Sequence, residues 1–144
     1  TSFRKNCKAK DIKFFVTNDI NLAQSLNADG IYLSARNNSL RFLKFKRKNF
    51  KIIGGAHNIR EINHKKLQGC ESILLSRLFR VSYKPKMDCL GVNKFNSYLV
   101  RNPQIVALGG ININNINKLK TVNTKSFAIM TALKKKPAIT SRLF

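Results

Sequence analysis

Residues 106–111 read VALGGI, an apolar run that stops on two adjacent glycines, and the Asn-rich stretch NINNINKLK follows at 112–120. A short run without polar alternation suits a strand covered on both faces. Glycines directly behind it let the backbone come close to a ligand, and amides at a following helix terminus favour an anion. The stretch therefore predicts a buried strand over Gln104 to Leu108 and a phosphate cradle at Gly109 and Gly110. It also predicts a helix over 112–120 that turns Ile113, Ile116 and Leu119 to one face. A plain tight turn is the alternative for the glycine pair.

The same pattern recurs along the chain. KFFVT (Lys13 to Thr17), GIYL (Gly30 to Leu33), KIIG (Lys51 to Gly54), SILL (Ser72 to Leu75) and SFAIM (Ser126 to Met130) are each four or five residues long and predict strands. Helical spacing fills the gaps. Residues 20–27 set Ile20, Ala23 and Leu26 on one face behind Asn18 and Asp19 as capping candidates; 39–48 set Leu40, Leu43 and Phe42 inward; 58–68 set Ile59, Ile62 and Leu67 inward behind an Asn58 cap. The pattern over 93–101 is weaker. Strand and helix in alternation imply parallel pairing with right-handed crossovers, in a doubly wound sheet or a barrel. One domain over residues 1–144 is expected. A (β/α)8 barrel needs eight units and about 250 residues. Six units leave two positions to fill, and these are expected upstream of Thr1, which is not an initiator Met.

Composition narrows the partners. Lys and Arg number 28 against six Asp and Glu, a net charge of +22, yet the basic residues are spread along the whole chain. Lys, Asn and Ile are abundant together, as an AT-rich genome tends to encode. No RNA-binding signature or zinc-finger spacing accompanies the charge, so a nucleic-acid role is disfavoured. A basic field equally concentrates small phosphate esters. No apolar run approaches the roughly 20 residues that span a bilayer, and no signal peptide is evident. Cys7, Cys70 and Cys89 are odd in number and far apart, which fits ordinary semi-buried thiols in a reducing cytoplasm.

In both architectures ligands bind at the carboxyl ends of the strands. Those positions hold Asn18 and Asp19, Ser34 to Asn37, Gly55 to His57, Ser76 and Arg77, Gly109 and Gly110, and Thr131. Thr131 behind the last run would complete the phosphate site. Asp19 either caps its helix or holds a Mg²⁺ that bridges phosphate oxygens. His57 either moves a proton near neutral pH or is a helix-start residue bonded to backbone. His64 lies seven residues on without an acidic or Cys companion, so no metal site is expected there.

FFVTND, ADGIYL, IIGGAHN, ESILLSRLF, VALGGI and FAIMTAL, in this order and spacing from about Phe3 to Leu133, resemble the thiamine phosphate synthase and TenI family. The resemblance implies a (β/α)8 barrel whose first two strands, with a Gln-x-Arg-x-Lys segment, precede Thr1. It also implies that hydroxymethylpyrimidine diphosphate condenses with thiazole phosphate and releases pyrophosphate. Carried over by position, Asn18 and Asp19 would hold the diphosphate and Mg²⁺, Lys84 would be the lysine behind the fourth strand, and Gly109, Gly110, Met130 and Thr131 would cradle the thiazole phosphate. The family's second metal aspartate falls at Asn37, with Ser34, Ala35 and Arg36 replacing its neighbours; Gly55 replaces a serine, and Arg80, Val81, Ser82 and Tyr83 replace a Pro-Thr-x-Thr loop. One carboxylate fewer implies weaker Mg²⁺ binding, with Arg36 as a fixed positive charge instead. Two other outcomes are expected to compete: a TenI-like thiazole tautomerase that uses His57 and no metal, and a non-catalytic relative that binds a phosphate ligand.

Overall fold

The structure is a computed structural model that describes residues 2–45, 49–81 and 86–130. The expectations for Lys84 and Thr131 fall outside the described residues. The elements run α1 (Ser2–Ala9), β1 (Phe15–Thr17), α2 (Ile20–Ser25), β2 (Gly30–Leu33), a 3-10 helix (Leu40–Phe45), β3 (Lys51–Ala56) and α3 (Ile59–Leu67). They continue with β4 (Ser72–Ser76), α4 (Gly91–Val100), β5 (Ile105–Leu108), a second 3-10 helix (Ile116–Thr121) and β6 (Phe127–Ala128). This is an α/β fold, and each of the six apolar runs carries a strand. The chain divides into two compact units, Thr1–Ile73 and Leu74–Phe144.

In the first unit β1 pairs with β2 and β2 with β3, both parallel, with Val16 opposite Ile31 and Ile31 opposite Ile52. Ile31, Leu33 and Ile52 are wholly buried, as unalternating runs require. Helix α2 lays Ile20 and Ala23 into this core and leaves Leu26 half-buried. Asp19 caps it, the carboxylate accepting the Leu22 N–H at 3.0 Å.

Helix α1 carries no apolar stripe and buries Cys7 alone. It is tethered by Arg4, which donates to the Asn27 carbonyl at 3.0 Å and pairs with Asp29 at 3.1 Å. The rings of Phe3 and Phe14 meet edge to face at 5.7 Å. Asp29 also accepts the Phe14 N–H at 2.8 Å. That bond first, then the charges of Arg4 and Lys13, hold its carboxyl below the usual carboxylate value.

Two inward faces differ from expectation. Residues 40–45 form a 3-10 helix, whose three-residue period puts Leu40 and Leu43 on one side; that side meets solvent, 50% and 43% exposed, and Phe42 turns in completely. On α3 the buried pair is Ile62 and Lys65, whereas Leu67 and Ile59 are exposed, Leu67 to 65%. Ile62 and Lys65 are three apart and so share a face.

In the second unit β5 and β6 pair parallel, Ala107 opposite Phe127. The segment behind β4 continues alongside β5: the N–H of Leu78 donates to the Leu108 carbonyl at 2.9 Å, and that of Phe79 to the Gly109 carbonyl at 3.0 Å. Helix α4 buries Phe95 and Leu99. The helix expected over 112–120 is instead an Asn turn followed by the 3-10 helix, which leaves Ile113 exposed and Ile116 and Leu119 half-buried. Strand β6 is two residues, shorter than the expected Ser126 to Met130. Cys7, Cys70 and Cys89 are free thiols, the first two buried. Among the described residues no helix is long and apolar enough to cross a membrane.

Candidate functional site

Parallel pairing brings the carboxyl ends of β1, β2 and β3 to one rim of the first unit. Asn18 leaves β1 with φ of 59°, a left-handed turn that Asn tolerates better than most residues. Its backbone N–H extends the ladder to the Tyr32 carbonyl at 2.9 Å. Its side chain joins the loop behind β2: Oδ1 accepts the Ser34 N–H and an Asn37 Nδ2 proton, each at 3.0 Å, and Nδ2 donates to Ser34 Oγ at 3.0 Å. Asn37 Oδ1 in turn accepts the Ser39 N–H at 3.1 Å. Asn18 and Asn37 therefore act on one another, an amide donor standing where the resemblance has a second carboxylate.

Asp19 is exposed beside them. Capping occupies Oδ1, so Oδ2 is the oxygen left for a cation. A cleft of about 590 Å³ opens here, lined by Thr17, Asn18, Asp19, Asn21, Arg41 and Lys44. The Arg41 guanidinium stacks over the Phe42 ring at 5.1 Å. Among the described residues no group of three or more His, Cys, Asp or Glu side chains could hold a metal ion. One carboxylate together with phosphate oxygens is nevertheless a common Mg²⁺ environment, so Asp19 fits that ion as a single protein ligand. Arg36 is exposed.

Lys65 and Gln68, which no sequence motif singles out, hold the Asn37 loop from below. Lys65 is wholly buried, and its Nζ donates to the Asn37 carbonyl at 2.6 Å and to Gln68 Oε1 at 2.8 Å. Gln68 Nε2 donates to the carbonyls of Asn37 at 2.9 Å and Ser39 at 2.8 Å. Burial pulls the Lys65 pKa below its ordinary value. The one sequence signal for it is the three-residue step from Ile62, which puts Lys65 on the buried stripe.

His57 is exposed at the end of β3. Glu61 Oε2 accepts its backbone N–H at 2.7 Å and lies 3.1 Å from its Nδ1. Asn58 caps α3 by accepting the Glu61 N–H at 3.0 Å, and its Nδ2 donates to Glu61 Oε1 at 3.0 Å. His57 is thus both part of a helix start and a ring with Nδ1 on a carboxylate. His64 Nε2 lies 3.1 Å from the Asn38 carbonyl.

In the second unit Gly109 and Gly110 follow β5 with φ of 94° and 73°, a conformation that L side chains rarely adopt. A Cβ on Gly109 would stand 2.9 Å from Arg77 Cγ, and one on Gly110 would collide with the Phe79 carbonyl oxygen. Their carbonyls are engaged: Gly109 accepts from Phe79, and Gly110 accepts from Asn115 Nδ2 at 2.7 Å and Asn112 Nδ2 at 3.1 Å. Met130 is 62% exposed.

The sequence profile of a family described as thiamine monophosphate synthase matches residues 1–133. A thiamine-phosphate synthase of Prochlorococcus marinus is 30% identical over 129 residues, covering 88% of this chain and 37% of that protein. Another from the same species is 33% identical over 133 residues, covering 88% and 37%. One from Methanococcus maripaludis is 28% identical over 131 residues, covering 90% and 63%. This chain therefore spans between 37% and 63% of the length of these three relatives. A solved structure of a thiamine phosphate pyrophosphorylase from Pyrococcus furiosus superposes with a TM-score of 0.75 at 21% identity, over 92% of this chain and 64% of that one. At that identity the likeness concerns the fold.

Proposed function

The chain belongs to the thiamine monophosphate synthase family, and from that premise we propose that it acts in a thiamine-phosphate synthase, a transferase joining hydroxymethylpyrimidine diphosphate to thiazole phosphate. The observation that carries the reading is the pair Gly109–Gly110, held at positive φ directly behind β5 where the backbone has no room for side chains. In the reaction the bond from the pyrimidine methylene carbon to the diphosphate oxygen breaks, and its electron pair leaves with pyrophosphate. The thiazole nitrogen then donates its lone pair to that carbon.

Each unit supplies a distinct part. Gly109 and Gly110, with Met130 and Thr131, would fix the thiazole phosphate through backbone, and so orient the nucleophilic nitrogen. Asn18 and Asp19 would receive the diphosphate, and Asp19 Oδ2 would hold Mg²⁺. When bound, that ion would neutralise charge developing on the departing pyrophosphate. Lys84 would be a further cation, as the resemblance implies. The eight-unit barrel belongs to this reading, with the six strands as part of it.

A specific observation favours a second reading. With His57 Nδ1 set on Glu61, Nε2 is the ring nitrogen left to carry a proton, as a TenI-like thiazole tautomerase needs. His57→Asn would abolish tautomerisation and only moderately slow a synthase. The deciding experiment incubates the full-length protein with both precursors and Mg²⁺, and measures thiamine phosphate and pyrophosphate. Stoichiometric appearance of the two supports the synthase. No turnover, with thiazole phosphate still bound, would make the protein a phosphate-ligand binder.

A further inference from the structure

We propose that Arg77 is the cation of the anion site at Gly109 and Gly110, where its guanidinium grips a phosphoryl group; this rests on the phosphate-cradle reading above. Arg77 Nη1 is buried and has no hydrogen-bond partner. A guanidinium is always charged and presents its N–H donors in a planar fork, so a buried donor without an acceptor is costly unless something supplies one. The second unit offers almost no carboxylate for that role, because from Leu74 to Phe144 the sequence contains one acidic residue, Asp88, which is exposed. The ion pairs Arg4–Asp29, Lys13–Asp11 and His57–Glu61 do not involve Arg77.

The position of Arg77 is fixed by backbone. Its own carbonyl accepts the Leu90 N–H at 2.9 Å, and the next two residues are bonded to Leu108 and Gly109. Its aliphatic stem borders the place where a Cβ on Gly109 would be, 2.9 Å from Cγ and 3.1 Å from Cβ. The missing side chain at Gly109 thus makes room for an arginine as well as for a ligand. A phosphoryl anion accepting from the Gly109 and Gly110 amides would offer the guanidinium two further oxygens in bidentate geometry. The chemistry is shared by a phosphate monoester and by pyrophosphate.

The test uses the full-length protein and its Arg77→Met and Arg77→Lys variants, titrated calorimetrically with thiazole phosphate, its unphosphorylated alcohol, inorganic phosphate and pyrophosphate. Arg77→Met is expected to weaken thiazole phosphate by about tenfold to a hundredfold, the worth of a lost charge-assisted bond. It should leave affinity for the alcohol unchanged and the ligand-free melting temperature equal or higher. Arg77→Lys should recover part of the loss. Equal thiazole phosphate affinity in wild type and Arg77→Met overturns the proposal, as does an equal loss for the alcohol. Arg77-dependent binding of phosphate or pyrophosphate alone would uphold the anion site while removing its thiazole assignment. If the wild type binds none of the phosphates, the proposal falls.

Discussion

Lys65 and Asn37 are joined by a 2.6 Å hydrogen bond from Nζ to a backbone carbonyl, made by a lysine with no exposed surface. The loop behind β2 is therefore moored to α3 by a group whose charge is itself disfavoured by burial.

Lys65→Met should change the pH dependence of stability more than stability itself. The folded-state pKa lies below the ordinary 10.5. Between the two values the unfolded chain binds more protons, so stability rises with pH through that window. The variant loses this rise and stays within about 2 kcal/mol of wild type at neutral pH, because Gln68 still donates to Asn37. Urea unfolding across the alkaline range below 10.5 reads both effects; an unchanged slope would show that Lys65 keeps its proton.

Asn37→Asp should restore Mg²⁺ affinity at the expense of the apo fold. It removes the donor to Asn18 Oδ1 and sets two acceptors together, costing about 1 kcal/mol. A second carboxylate beside Asp19 should tighten Mg²⁺ roughly tenfold in the presence of pyrophosphate. Calorimetric Mg²⁺ titration measures it, and unaltered affinity would detach Asn37 from the metal.

Glu61→Ala should loosen the start of α3 by about 1 kcal/mol, because both carboxylate oxygens are engaged, by His57 and by Asn58. A lowered melting temperature with the strand signal retained in circular dichroism is the expected record.

The thiols should separate by reactivity. Burial pushes the Cys70 thiol up to about 11, whereas Cys89 is only half-buried. An aromatic disulfide reagent near neutral pH should label Cys89 first and Cys70 at the rate of local opening. The folded value of Cys70 lies above its ordinary 9.0, so its contribution is intact below pH 9 and is lost as pH rises through about 11. Cys70→Ala should flatten that alkaline decline.

The strand runs are legible because a strand buried on both faces prints as uninterrupted apolar residues, as Ile31, Leu33 and Ile52 do. The glycine pair is legible for a related reason, since its φ values exclude most side chains. Faces of short helices are not. An α-helical period sets Leu40 and Leu43 inward, but the chain there turns with a period of three, and Phe42 fills the core. Lys65 displaces Leu67 because its buried amine finds an acceptor on a loop 28 residues away, which no local pattern records. The Asn18–Ser34–Asn37 cluster and the isolation of Arg77 are likewise long-range relationships.

The clasp of Arg4 on Asn27 and Asp29 has a practical side. It seats α1 where β1 and β2 begin, whereas Asn18 and Ser34 lie where those strands end, one strand length of roughly 10 Å further on. A fluorophore placed on α1 would report on the first unit without crowding the rim that carries Asn18 and Ser34. Detaching α1 would uncage Asp29 and bare Phe14, so a substitution that breaks this clasp invites clumping.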